Sequence, residues 1–446
     1  MRPAPLASCC LACLLSLAAA CSLWNRHGPV DRDREMAEFT GQGGYAGPNH
    51  AVSSTRETWP HDGVPVEVSI FIPDAPGKLP VVVYLPGVGE DTGQGELWRR
   101  PWAQAGYAVV SIQPKAYGEA LWANHQAKPG DFKAVGRAVF SRHALEERLS
   151  QVCWALEQLA ARVRGGNPRY ASLDLGRMAL AGYDLGAQTA LVLAGEKVDL
   201  ALPAPPPVFT AAILISPHAD PAREKAPGRY AAIQMPLLLV SGGQDQDPAA
   251  ISTPASRKSL WNELPPGGKH LLWFERANHR LLSGSMSNPL YWSEVIGPII
   301  HERGGRTSGG EPGGYDGATG ATSRPGKGWF GAVTSGLDAG EMAAGYDARA
   351  GATSRGGGSG GNSGGGRPRK GGGGEPGGGG NPKNRDEENR QEEIAIQTHA
   401  ARQMAIVVSV TTAFLDMSLK DSQEAREWLL DAAPAWFKEH ATGLRK

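Results

Sequence analysis

Residues 178–190, MALAGYDLGAQTA, decide how this chain is read. Residues 178–182 are a short apolar run of the kind that forms a strand covered on both faces, and a helical pattern follows from Leu185. Gly182 and Gly186 stand two residues before and two after Asp184. Glycines at that spacing let a strand and a helix approach closely enough to hold the residue between them in a strained, exposed turn. This is the spacing of a nucleophile elbow. The helix start behind Asp184 supplies backbone N–H groups and the positive end of a dipole, both of which favour an anion.

Outward from this turn the chain alternates short apolar runs with helical patterns, the signature of a parallel α/β sheet. Strands are predicted at 66–72, 80–85, 108–113, 178–182, 211–216, 237–241 and 270–274. The first alternates apolar and polar residues, as an edge strand does; the later ones are continuously apolar. Between the third and fourth, Leu145, Leu149, Val152, Leu156, Leu159 and Val163 recur at steps of three and four, one face of a helix that Gly165 and Gly166 stop. Cys153 and Trp154 lie beside that stripe and read as core packing.

The chain has 446 residues, and 31 of its 60 glycines fall in residues 301–380. A segment so poor in apolar side chains cannot offset its ordering entropy, so 303–388 is read as a disordered insert. Its near-repeats at 314–324 and 345–355 have no apolar face to stack on a neighbour, which argues against a solenoid. Periodicity returns with Ile406, Val410, Phe414 and Met417, and again over 425–430. These helices need a core, and the one before the insert is available. The expected organisation is therefore a leader at 1–21, a flexible spacer at 22–60, and a domain at 61–302 completed by helices at 389–446.

Forty-five basic residues balance 45 acidic ones, leaving no electrostatic footprint for nucleic acid or anionic membrane. No apolar run outside the leader reaches membrane-spanning length; 404–419 is too short and carries Asp416. Cys9, Cys10, Cys13 and Cys21 crowd the start, where Arg2 and an apolar stretch ending in Ala18, Ala19, Ala20 and Cys21 read as a signal peptide. Small residues before a cysteine resemble the bacterial lipobox, with Ala18 where Leu or Val is usual. Cys21 is thus the candidate lipidation site, and the chain is expected to be secreted or held at the cell envelope, in the periplasm or at the cell surface, with membrane contact only through a lipid. Cys153 is then nearly alone, which excludes a disulfide framework.

The chemistry-bearing residues follow the strands. Gly242-Gly243-Gln244-Asp245-Gln246-Asp247 follows the strand at 237–241, so Asp245 is the candidate acid and Asp247 its rival. His279 follows the last strand. Upstream, Leu85-Pro86-Gly87-Val88-Gly89 follows an early strand, where backbone N–H groups form an oxyanion hole. Nucleophile, acid and histidine stand in α/β-hydrolase order. The histidines show no metal-ligand spacing and no dinucleotide fingerprint follows a strand, so no metal or cofactor is expected.

Over residues 62–285 and 396–432 the chain resembles the α/β-hydrolase superfamily, in particular its dienelactone-hydrolase and platelet-activating-factor-acetylhydrolase-like esterase branch. The resemblance implies an α/β-hydrolase fold, Asp184 as nucleophile, His279 as base, Asp245 as acid, and Val88 with Leu185 as oxyanion-hole amides. Two departures stand out. Pro86-Gly87 replaces the usual His-Gly, and Asp184 stands where the branch carries Ser or Cys. The function so implied is hydrolysis of small ester-type substrates by an Asp-His-Asp set. One alternative is a catalytically lapsed lipoprotein with a binding or structural role. Another is an Asp-nucleophile hydrolase of the epoxide-hydrolase or dehalogenase type, in which the carboxylate forms an alkyl ester that water then cleaves. That type needs electrophile activators; Tyr117, Trp122 and His125 in the 114–140 loop are candidates for a pocket lining, against the plain account of a surface loop.

Overall fold

A computed structural model describes residues 30–123, 132–200, 208–218, 228–285 and 382–446. The chain divides into two units, Met1–Gly304 with Lys383–Lys446, and Gly305–Pro382, the second lying outside the described residues except for Pro382. The first is a mixed α/β fold around one nine-stranded sheet.

The strands are β1 (Val52–Trp59), β2 (Val66–Pro73), β3 (Leu79–Leu85), β4 (Ala108–Pro114), β5 (Leu173–Tyr183), β6 (Ala211–Ile215), β7 (Leu237–Gln244), β8 (Lys269–Asn278) and β9 (Thr442–Arg445). Their order across the sheet is β1-β2-β4-β3-β5-β6-β7-β8-β9. The six from β4 to β8 run parallel, while β1, β2 and β9 pair antiparallel at the two sides. The helices are α1 (Arg32–Thr40), α2 (Glu96–Gln104), α3 (Phe132–Val139), α4 (Arg142–Arg164), α5 (Leu185–Leu193), α6 (Pro254–Glu263), α7 (His279–Leu282), α8 (Pro382–Leu419), α9 (Gln423–Glu427) and α10 (Ala433–Phe437).

Alternate residues of the central strands enter two separate cores, which is why these strands read as unbroken apolar runs. Val81, Val83, Leu180 and Leu239 join Leu149, Val152, Leu156 and Leu159 of α4 and Leu191 of α5 on one face. Val82, Tyr84, Ile213 and Val240 join Trp98 and Trp102 of α2 on the other, together with Ile406, Val410 and Phe414 of α8. The chain after the Gly-rich stretch is thus part of the same core. Polar side chains fix it there: the Trp102 indole N–H donates to Thr411 Oγ1 (2.9 Å), and Tyr45 and Tyr107 donate to the two oxygens of Asp416 (2.7 and 2.6 Å).

Four expectations need correction. The described part of the predicted spacer is structured from residue 32: α1 is capped by Asp31, whose side chain accepts from the Arg34 N–H (3.1 Å), and is anchored by buried Phe39. β1 follows and pairs along its whole length with β2. It reads as spacer because VSSTRETW lines an edge with one partner and little burial. In consequence β2, predicted as the edge, is internal. Residues 382–388, assigned to the insert, are the first two turns of α8, a start with no apolar pattern in the sequence to announce it. The segment after 389 is not all helix either, since β9 adds a final strand alongside β8 with every residue exposed. No helix among the described residues is long and apolar enough to cross a membrane.

Candidate active site

β5 runs into the turn at Tyr183, and Asp184 takes φ 50° and ψ −110° before α5 begins. A non-glycine residue in this region carries strain on the order of 1–3 kcal/mol, kept only when the surroundings overdetermine it. They do so here. The Asp184 N–H donates to the Ile215 carbonyl and its own carbonyl accepts from the Gln188 N–H, both at 3.0 Å. A Cβ on Gly182 would lie 2.6 Å from the Gly186 backbone, and one on Gly186 would collide with the carbonyls of Leu85 and Pro86. Both glycines are required because β5, α5 and the turn after β3 meet main chain to main chain.

Three loops at the C-terminal edge of the parallel strands then bring the predicted residues together. His279 opens α7, where the Asn278 side chain caps the helix by accepting from the Leu281 N–H. Its Nδ1 lies 2.8 Å from Asp245 Oδ1, and its Nε2 faces Asp184 Oδ1 at 3.8 Å, beyond a direct hydrogen bond. The Tyr183 hydroxyl donates to the His279 carbonyl (2.8 Å), fixing the loop to the elbow. Asp184 Oδ2 accepts from the Val88 N–H at 3.3 Å. Leu185, fully buried, begins α5, so its N–H is among the donors that a helix start leaves without an intrahelical acceptor. Asp247 is occupied otherwise, accepting from the Ile251 N–H (3.2 Å) and the Ser252 N–H in its own loop. The geometry therefore pairs Asp245, not its rival, with His279.

The electrostatics separate the two aspartates. Burial pushes Asp245 up, but the Arg257 guanidinium and the His279 bond outweigh it and leave the acid below its usual range. Arg257 Nε is 3.5 Å from Asp245 Oδ2, its Nη1 donates to the Asp245 carbonyl, and the Ser241 hydroxyl donates to Oδ2 (2.7 Å). Asp184 is raised instead: burial and the nearby Asp247 charge outweigh His279 and the Val88 N–H. For His279, burial favours the neutral ring, yet the Asp245 bond and the Asp184 charge outweigh it and raise the imidazole. One carboxyl held below its ordinary range and a second raised by burial, with a raised imidazole between them, is an acid/base arrangement.

Several residues of this site were not legible in advance. Glu90 ties the turn after β3 to the chain beyond α7: its Oε2 accepts from the Gly87 N–H (2.8 Å) and its Oε1 from the Ser285 hydroxyl (2.7 Å). Desolvation pushes its carboxyl up to about 7, with the Asp184 charge adding to the rise. The one signal was an acid three residues past Gly87. Arg148 of α4 is buried behind α5, donating to Thr189 Oγ1 (2.6 Å), Gln188 Oε1 (2.7 Å) and the Val139 carbonyl (3.2 Å). Its signal was a charge inside the Leu145–Leu149–Val152 stripe. Arg257 left none, since Arg257-Lys258 reads as a surface pair. His218 follows β6 at the same sheet edge, with its Nδ1 2.5 Å from Ser252 Oγ, and burial pushes it down to about 3, so it is a neutral ring.

Of the loop residues considered for a pocket lining, Tyr117 is buried and donates to the Ala144 carbonyl (2.9 Å) beneath Arg148. The Trp122 side chain, His125 and Cys21 lie outside the described residues. Among the described residues no group of three or more His, Cys, Asp or Glu side chains is placed to hold a metal ion. No family model matches the chain, and no curated protein matches it.

Proposed function

We propose that the chain has the α/β-hydrolase fold and is a hydrolase of small esters or related electrophiles that works through a covalent ester on Asp184. One observation carries this reading: the Val88 N–H points at an oxygen of Asp184 itself, while His279, backed by Asp245, faces the other oxygen. In a serine esterase the oxyanion donors serve the substrate carbonyl. When the nucleophile is a carboxylate, the tetrahedral centre of the second step is its own Cγ, and donors at Oδ2 are then in place for the developing charge. Asp184 Oδ1 attacks the substrate carbon, and the leaving group departs with the bonding electrons. His279 Nε2 next takes a proton from water, the hydroxide adds to Cγ, and Oδ2 carries the charge at the Val88 and Leu185 amides. Collapse expels the alkyl or acyl group on Oδ1, which accepts the proton back from His279, and the carboxylic acid left at Cγ passes its proton to solvent to neutralise the departed leaving group, restoring the carboxylate. Asp245 holds the ring and stabilises its charged form.

The fold reading is supported by the strand-turn-helix at Asp184, by donors in the turn after β3, and by the order nucleophile, acid, histidine after β5, β7 and β8. A second reading, a lapsed hydrolase, is favoured by the burial of Asp184 beside the Asp247 charge, which raises its carboxyl and disfavours the ionised form a nucleophile needs.

Panels of short acyl esters, epoxides and haloalkanes separate the two. On the first reading wild type turns over a substrate, Asp184→Asn abolishes turnover, and His279→Gln accumulates a mass adduct on the peptide containing Asp184. Single turnover in ¹⁸O-water also labels that carboxyl. Silence of wild type with activity in Asp184→Ser establishes the lapsed enzyme. Equal turnover by wild type and Asp184→Asn refutes any role for Asp184.

A further inference from the structure

A cavity of about 380 Å³ opens at the sheet edge opposite Asp184, where β7 and β8 begin and α8 ends. His270, in its wall, and His279, at the active site, are nine residues apart along β8 and its end, roughly 30 Å at about 3.3 Å per residue. The cavity is walled by four cations, Lys269, Arg426, Arg445 and Lys446, and by His270, against a single acidic side chain, Asp421. The sheet sets two of these charges, Lys269 and Lys446, side by side. Lys269 and Lys446 exchange main-chain hydrogen bonds at 3.0 Å in both directions, and His270 stands opposite Arg445 in the β8–β9 register. Like charges directly opposite one another on neighbouring strands destabilise the pairing, so an uncompensated set at this edge is an electrostatic cost that an anion removes.

The four cations divide by what already holds them. Lys269 Nζ donates to the Gly267 carbonyl (2.6 Å), and Lys446 Nζ donates to the carbonyls of Trp261 (2.6 Å) and Asn262 (3.1 Å). These two supply field and not contact. Arg445 has one long bond, to the Leu430 carbonyl at 3.4 Å. Neither Arg445 nor Arg426 forms an ion pair with a described residue, so two guanidinium forks remain for a ligand. Four basic side chains against one acidic side chain favour an anion with more than one negative charge, and two planar forks match the oxygens of a phosphate group. The volume lies at the lower end of small-ligand pockets.

We propose that this cavity binds a small phosphate-bearing anion, gripped by Arg426 and Arg445 in the field of Lys269 and Lys446. The phosphate belongs either to a soluble molecule or to a lipid headgroup, and the test distinguishes them. Titration calorimetry of the full chain with inorganic phosphate reads the first; flotation with phosphatidylcholine vesicles, with and without phosphatidic acid, reads the second. Saturable binding in one arm supports the proposal and names the source. The double variant Arg426→Gln/Arg445→Gln, whose side chains are exposed, should keep the wild-type melting temperature and weaken that binding at least about tenfold. Asp421→Asn should tighten it. His270, held down to about 4 by burial and by Arg445 and Lys269, should titrate higher once the anion is bound. Binding in neither arm, or equal binding by wild type and the double variant, overturns the proposal.

Discussion

Gly182→Ala tests the claim that the elbow is built by main-chain contact. The added Cβ meets the Gly186 carbonyl carbon and oxygen at 2.6 Å and the Ala187 nitrogen at 2.7 Å. An ordinary contact needs about 3.4 Å or more, so β5 and α5 must separate by roughly 0.8 Å. No flexible side chain is there to yield, and the displacement also disturbs Ala187, Ala190 and Leu191 in the core beneath. Overpacking of this kind costs about 1–3 kcal/mol, and backbone neighbours place it towards the upper value. The same shift moves Asp184 off the Val88 N–H and His279, and a misplacement near 1 Å costs on the order of 10²-fold in rate. Urea unfolding followed by far-ultraviolet circular dichroism measures the first effect at constant slope, and kcat on any substrate the wild type turns over measures the second. A change below about 0.5 kcal/mol with unaltered kcat would refute the reasoning, since the helix would then have room the geometry denies it.

Two further outcomes follow from the core and the site. Phe414→Ala removes a fully buried ring from the core shared by α8 and the sheet, and should lower stability by about 3–5 kcal/mol in a single cooperative transition; a separate early transition for the C-terminal segment would show that it is not part of this core. Glu90 is raised in the folded protein from an ordinary 4.5 to about 7, so its contribution to stability is fully present below pH 4.5 and is lost as pH rises through about 7. Glu90→Gln, which cannot lose that proton, should show a smaller fall in unfolding free energy between pH 5 and pH 8 than wild type; parallel pH profiles would remove the linkage.

What was legible in the chain was whatever depends on local pattern. Six of the nine strands announce themselves because a strand covered on both faces must be apolar throughout, β2 because its residues alternate, and α4 because its buried face repeats every three to four residues. The elbow was legible for a sharper reason: only a main-chain contact makes two glycines necessary at that spacing around Asp184. The edge elements β1 and β9 were not legible, because a strand with one neighbour and one or two wet faces has no pattern to impose. The ionic surroundings of the site were hidden as well. Arg257 sits twelve residues after Asp245 and Arg148 forty-one before Thr189, and neither distance along the chain carries information about distance in space. Sequence supplied the residue types Asp184, Asp245 and His279 and their order. Which aspartate meets the histidine, which carboxyls are raised and which lowered, and where the Val88 N–H points are properties of loops brought together by the sheet, because Coulomb and hydrogen-bond energies depend on separations of a few ångströms that only the packed fold determines.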